Sequence, residues 1–344
     1  MAKRKIMTAK RLKKRRLRRA LWIVSVIAFA LTMGQYAEKI NAAREASADS
    51  QPIISADYPA PAVKENKDEQ KISESSTQEL TSDFIVKVKS KDGEIIEQNF
   101  EESVSGVLAA EMPVNFDLEA LKAQAVAARS YCIYYLGKND YIPAGVSAQD
   151  WLSEEEQRER WGDNYENYRQ KIVQAAAETK GEVLLWQDSV IEAVYHASCG
   201  GYKTASAADV WGGYIPYLQS VDCPHGKDKH SKKENHFSRA ELAESLGAPA
   251  KGEIKITAKD ASGRVAEITV GGEAFQGNEV RSALGLPSTV FTVKTKGDEV
   301  IITTDGSGHG VGMCQYGANY YALEGWNYKQ ILAHFYQQTE LGKV

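Results

Sequence analysis

Three stretches of this sequence carry side chains suited to chemistry. The first is Ala110-Glu-Met-Pro-Val-Asn-Phe-Asp117. Glu111 stands among the apolar residues Leu108, Met112 and Phe116, and Pro113 biases Met112 toward extended backbone. A carboxyl so placed is expected to be partly desolvated, which favours its protonated form, the form a general acid needs near neutral pH. A glutamate that is merely paired or exposed is the competing reading. Lys122 and Arg129 follow, seven residues apart and hence about two turns along one helix face. They suit either the holding of Glu111 and acidic groups of a ligand, or a solvated face with ordinary ion pairs.

The second stretch is Gly306-Ser-Gly-His-Gly-Val-Gly-Met-Cys-Gln-Tyr-Gly317. Its glycines permit positive φ and close backbone approach, while His309, Gln315 and Tyr316 supply polar groups. It lacks the Lys-Ser/Thr of a P-loop and the spacing of a dinucleotide fingerprint, so it reads as a tight loop lining a polar cleft. The third is Tyr195-His-Ala-Ser-Cys-Gly-Gly-Tyr202, with Cys223-Pro-His225 beyond it. His196, Cys199, Cys223 and His225 have the chemistry of a zinc set at loose spacing. Free thiols are the leading alternative and a Cys199–Cys223 disulfide stands beside zinc, while a Cys–His nucleophile pair finds no evident third member.

The elements that must position these groups follow from periodicity and turn residues. Alternating strands flank Lys91-Asp-Gly93, Gln187-Asp-Ser189, Asp260-Ala-Ser-Gly263 and Gly297-Asp298, giving four hairpins. Helices are expected over 117–136, with an apolar stripe from Leu118 to Tyr135 and Gly137 as a left-handed stop, and over 168–180. Others follow after the capping box at Ser238-Arg-Ala-Glu241, then over 276–284, 315–323 and 328–337, the last capped by Asn327. Residues 138–167 read as surface loop and short helix. Hairpins outnumber strand–helix–strand units, which predicts an α+β fold rather than a parallel α/β sheet.

Charge divides the chain. Residues 1–19 hold eleven Lys or Arg and no acid; subtracting them from the formal net charge of −4 leaves −15 on residues 20–344. So acidic a body disfavours a nucleic-acid groove. The apolar run from Ala20 to Gly34 follows the basic head directly. It suits a signal peptide or, with Tyr36 and Ala37 extending it, an uncleaved single-pass anchor over 20–37. The anchor is the expected form, with the cations cytoplasmic and the body outside. Residues 38–80, rich in Ala, Ser, Glu, Lys and Gln, read as a disordered tether. Residues 81–344 form the extracytoplasmic domain.

Together the motifs resemble the stage II sporulation protein D family and its relatives among amidase enhancers. They are Ala110-Glu-Met-Pro with Leu118-Glu-Ala-Leu-Lys-Ala-Gln-Ala-Val-Ala-Ala-Arg-Ser-Tyr131, then His196-Ala-Ser-Cys-Gly-Gly201 with Asp209-Val-Trp-Gly-Gly213 and Pro216-Tyr-Leu-Gln-Ser-Val221, then Gly308-His-Gly-Val-Gly-Met-Cys-Gln-Tyr-Gly-Ala318. The likeness spans about residues 83–338. It implies a lytic transglycosylase acting on peptidoglycan glycan strands stripped of their stem peptides, or a non-catalytic enhancer of a wall amidase. It implies a cleft between two lobes and a place in the membrane between mother cell and forespore. By motif position Glu111 matches the catalytic glutamate, and Lys122, Arg129, Ser198, His309, Gln315 and Tyr316 match residues that bind substrate. Stage II sporulation proteins P and M are the partners it implies. No cofactor is required by that chemistry. Relatives commonly carry Ser at Cys199, Cys223 and Cys314, and some bind zinc.

Overall fold

Turn and cap residues set most of the element boundaries. The computed structural model describes residues 84–89, 93–137, 141–143 and 149–344, all within one unit, Ile72–Val344. The expected basic head, anchor and tether (residues 1–80) lie outside the described residues. No helix among those described is long and apolar enough to cross a membrane. The fold is α+β, with small sheets of mainly antiparallel pairing.

The hairpin β1 (Ile85–Lys89) and β2 (Ile95–Asn99) leads directly into helix α1 (Phe100–Glu111). The Asn99 side chain caps α1 by accepting from the Glu101 and Glu102 amides. This helix escaped the pattern reading, because its buried face includes Ser103, Ser105 and Gly106. Met112, the C-terminal cap before Pro113, is extended as expected, at φ −108° and ψ 136°. Helix α2 (Leu118–Leu136) then begins on an Asp117 cap. Gly137 is right-handed at φ −63°, so the expected left-handed stop does not form.

Helix α2 is the axis of the larger core. It is packed by α1, by α4 (Tyr165–Glu178), by α8 (Gln315–Leu323), by α9 (Tyr328–Phe335) and by strand β4 (Glu182–Trp186). Every residue from Ala123 to Cys132 is buried. The expected single stripe is therefore a helix enclosed on all faces over its middle turns, and its alanines let so many neighbours approach. Short strand β3 (Ile142–Pro143) pairs with β1, and helix α3 (Glu154–Trp161) opens on a Ser153–Glu156 capping box. Beyond Gln187 and Asp188, both at positive φ, β5 (Ser189–Val190) completes the expected hairpin with β4. Strand β14 (Glu340–Lys343) joins its other edge.

Strand β6 (Tyr195–His196) does not continue that hairpin. It pairs in parallel with β13 (Met313–Cys314), across a separation of more than a hundred residues. Helix α5 (Ala207–Trp211) follows. A second, smaller core is inserted between these partners. It gathers Leu242 from α6 (Arg239–Leu246), Ile268 from β9 (Val265–Val270), Val280 from α7 (Gly277–Leu284), and Phe291 and Ile302 from β11 (Val290–Lys296) and β12 (Glu299–Asp305). Strand β7 (Lys233–Ser238) pairs with β12, while β8 (Ile254–Lys259) and β10 (Glu273–Gln276) flank β9. The Ser238 capping box forms as its spacing predicts, and Asn327 caps α9 as expected, with Gln330 completing a capping box as well.

Candidate functional site

Glu111 is the last residue of α1, and the segment after it is tied to the glycine-loop helix. The Asp117 amide donates to Asn319 Oδ1 at 2.7 Å. The Phe116 ring meets Tyr316 edge to face at 5.0 Å, and Lys171 Nζ donates to the Phe116 carbonyl at 2.5 Å. The partly buried Glu111 carboxylate accepts from the Asp150 amide at 2.6 Å. Gly106 makes that bond possible: a Cβ there would lie 2.2 Å from Trp151 Nε1, so only glycine lets the 149–152 segment seat on α1. Arg160 caps the same helix end, with Nη1 3.0 Å from the Ala109 carbonyl. The Tyr195 hydroxyl donates to Gln149 Oε1, next to Asp150, at 2.9 Å. Its phenol is held well above its ordinary pKa by burial first and then by the Glu111 charge. Sequence reasoning missed Asp150, Arg160 and Tyr195, which approach Glu111 from separate segments.

The second and third motifs interlock. Ser198 bridges to Ser307, and Ala205 to Val311. The loop glycines 306, 308, 310 and 312 all have positive φ. His309 is half-buried, with its ring 5.3 Å from Trp211 and 5.7 Å from His196. Its Nδ1 accepts from the Val311 amide at 3.1 Å, and burial pushes its pKa down to about 3. It is a neutral ring. His196 Nδ1 lies 3.1 Å from the Val311 carbonyl, and burial lowers its pKa as well.

Several of the other expected substrate contacts also have partners within the protein. Arg129 is fully buried. It makes a fork with Glu101 at 3.0 and 2.8 Å and donates to the Glu182 carbonyl at 2.9 Å. Lys122 is ion-paired with Glu119, at 2.7 Å, and with Glu178. Ser198 is buried, its hydroxyl donating to Asp228 at 2.5 Å. Gln315 is buried and its amide reaches Gln124 at 3.5 Å. Lys122, His309 and Tyr316 remain partly accessible, but Lys122 is held by its two acids.

Cysteine geometry revises the expected metal set. Cys199, Cys223, His225 and Cys314 hold their donor atoms within 4.8 Å of one another, and all four cysteines are free and buried. Cys314 stands where the sequence reading put His196, because the β6–β13 pairing brings it beside Cys199; the Cys199 amide lies 3.2 Å from Cys314 Sγ. Hydrogen bonds from the Cys223 and Cys314 thiols hold Cys199 far below the usual thiol range. Cys199 Sγ and His225 Nε2 are 3.4 Å apart, and His225 Nδ1 faces the Asp228 carboxylate at 3.7 Å. Three sulfurs and one imidazole at this spacing are compatible with tetrahedral zinc, whose Zn–S bonds are about 2.3 Å. A carboxylate behind the ring is the usual orienting partner of a ligating histidine. The lone Cys132 lies elsewhere, its thiol pushed up to about 12 by burial.

Comparison with known proteins accords with the three motifs. The stage II sporulation protein family profile matches residues 89–186. Stage II sporulation protein D of Bacillus subtilis (strain 168) is 38% identical over 256 residues, covering 71% of this chain and 74% of that protein. Its counterpart in Bacillus amyloliquefaciens is 37% identical over the same shares of each chain. An amidase enhancer of B. subtilis is 28% identical over 69% of this chain and 40% of its own length. Placed beside the motif geometry, these relationships show that the chain belongs to the stage II sporulation protein D family.

Proposed function

We propose that this sporulation protein is a peptidoglycan lytic transglycosylase with Glu111 as its sole acid and base. The observation that carries the reading is the placement of Glu111: its carboxylate is oriented by the Asp150 amide, and its chain segment is locked to the glycine-loop helix at Phe116–Tyr316 and Asp117–Asn319. Ordinary glycosidases need two carboxyl groups, because one must activate water or act as nucleophile. Here one suffices. Glu111 gives its proton to the oxygen between muramic acid C1 and glucosamine as that bond breaks. The resulting carboxylate takes the proton from the muramyl 6-hydroxyl as O6 bonds to C1, which returns Glu111 to its starting form and leaves a 1,6-anhydro sugar. The nucleophile is already tethered to the electrophile, an advantage on the order of 10⁵ M or more in effective concentration. Mass analysis of sugars released from peptide-free glycan by the purified chain tests this; intact strands after prolonged incubation would sink it.

The likeness to an amidase enhancer favours a second reading, in which the same surface binds glycan and stimulates a partner amidase without cutting. The peptidoglycan strand is the ligand in both. Stage II sporulation proteins P and M are the proposed partners. Residues 20–37 are proposed to anchor the chain in the membrane, with the domain facing the space between mother cell and forespore. Full-length chain pelleting with membranes, while a chain starting at residue 81 stays in the supernatant, is the expected result; equal partition of the two would count against the anchor.

The cluster of Cys199, Cys223, His225 and Cys314 is proposed to hold zinc. With four protein ligands the site is closed, so the ion would staple the second and third motifs together rather than act on the sugar. Metal analysis is expected to give one zinc per chain, and chelation should lower the melting temperature by at least several degrees. A metal-free chain of unchanged stability would refute this.

A further inference from the structure

Arg264 is a large, buried charged group that the functions above leave unexplained. It closes the β8–β9 turn, which Asp260 organises: its Oδ1 accepts from the Ser262 amide and hydroxyl at 2.9 and 2.7 Å and from the Arg264 amide at 3.0 Å. The turn points the guanidinium away from its own core and under the glycine loop. Only 1% of Arg264 is exposed. Its Nε and Nη1 have no protein acceptor, and Nη2 reaches only the Cys199 carbonyl, at 3.5 Å. Among the described residues no carboxylate forms an ion pair with it. Gly310 is shaped around it, since a Cβ there would lie 2.3 Å from Cζ.

A buried cation with orphaned donors is strongly destabilising unless an opposite charge compensates it. Arg264 Nη2 sits against the backbone of Cys199, whose sulfur belongs to the metal cluster. Three thiolates, one neutral imidazole and one Zn²⁺ sum to a charge of −1, buried in the same region. The Asp228 carboxylate behind His225 is buried there too, so Arg264 offsets part of a net negative charge. We infer that Arg264 is the counter-cation of the cysteine–histidine cluster, so that metal loading is coupled to docking of the smaller core, which contributes Arg264 through β9, against the glycine loop. The inference rests on the zinc reading and makes Arg264 a positioning residue that acts on the ligands, not on the sugar.

The coupling predicts effects of opposite sign in the two forms of the protein. In the full-length chain, Arg264→Met is expected to weaken zinc binding 10- to 100-fold by chelator competition, about the size of effect seen for groups that support metal ligands. The same substitution should leave the zinc-stripped protein as stable as its parent or more so, because it removes a poorly compensated charge. Arg264→Lys keeps the charge and is expected to recover most of the affinity; Arg264→Gln, polar but neutral, is not. Parent-like zinc affinity in both neutral variants overturns the inference. So does a parallel fall in the stability of the stripped and loaded forms, which would make Arg264 a packing residue only. Neutral variants that fail to fold even in saturating zinc overturn it in the same way. A parent chain that takes up no zinc removes the metal reading itself, and is recognised before any variant is made.

Discussion

Glu111→Gln is expected to reduce release of 1,6-anhydro products by at least about 10³-fold while leaving the melting temperature within a degree or two of the parent. General acid–base groups contribute roughly 10² to 10⁴ each, and a single carboxyl serving both steps loses both at once. The amide keeps the shape of the carboxyl and an oxygen to accept the Asp150 N–H seen at 2.6 Å. The end of α1, the Met112 turn and the Phe116–Tyr316 contact should therefore persist. Glycan binding should persist too, because glutamine removes the transferable proton and little else. Product release by mass analysis, strand binding by sedimentation and thermal melting, measured on one preparation, separate the alternatives. Cleavage at the parent rate excludes Glu111 as the acid. A parent chain that binds strands and stimulates an amidase but never yields anhydro ends, with the Gln variant behaving alike, would move the assignment to the enhancer reading.

The parts of this molecule that were legible in the sequence are those built by neighbours along the chain. The Gln187-Asp188 and Gly297 turns, the capping box at Ser238, the Asn327 cap and the extended Met112 before Pro113 each depend on a few consecutive residues, and each forms where the pattern predicts. Pairings between distant segments were not legible. Cys314 enters the metal set only because β13 lies beside β6, an arrangement no local spacing encodes. Helix α1 was missed because a small-residue face of Ser103, Ser105 and Gly106 carries no hydrophobic period, although it is buried. The same blindness affected α2. Its apolar stripe is real, but Gln124, Arg129 and Ser130 on the remaining faces are buried too, and a pattern of charge versus apolar residue reads such positions as solvent-facing.

For Arg129 the two readings predict different phenotypes. Read from motif position, it binds an acidic sugar group, and its loss should raise KM with stability unchanged. In the structure its guanidinium is enclosed by α1, α4 and β4, paired with Glu101 and hydrogen-bonded to the Glu182 carbonyl. Glu101 in turn accepts from the Gly181 amide at 3.2 Å, so one carboxylate ties the end of α4 to α1 through Arg129. Arg129→Met should then strand a half-buried carboxylate and at least one backbone carbonyl. Breaking a buried pair from one side costs about 3–5 kcal/mol; Glu101 keeps some contact with water, its side chain being 21% exposed, so the lower end is expected. For a domain of this size, about 3 kcal/mol lowers the melting temperature by roughly 6–12 °C. Below that temperature the fraction still folded should retain the parent KM, because Glu111, His309 and Tyr316 are untouched. Arg129→Lys should fall nearly as far, since an ammonium cannot reproduce the two-pronged contact with Glu101. A raised KM at unchanged melting temperature would instead return Arg129 to the substrate. It would also require the α1–α2 contact to open in solution far enough to admit a sugar.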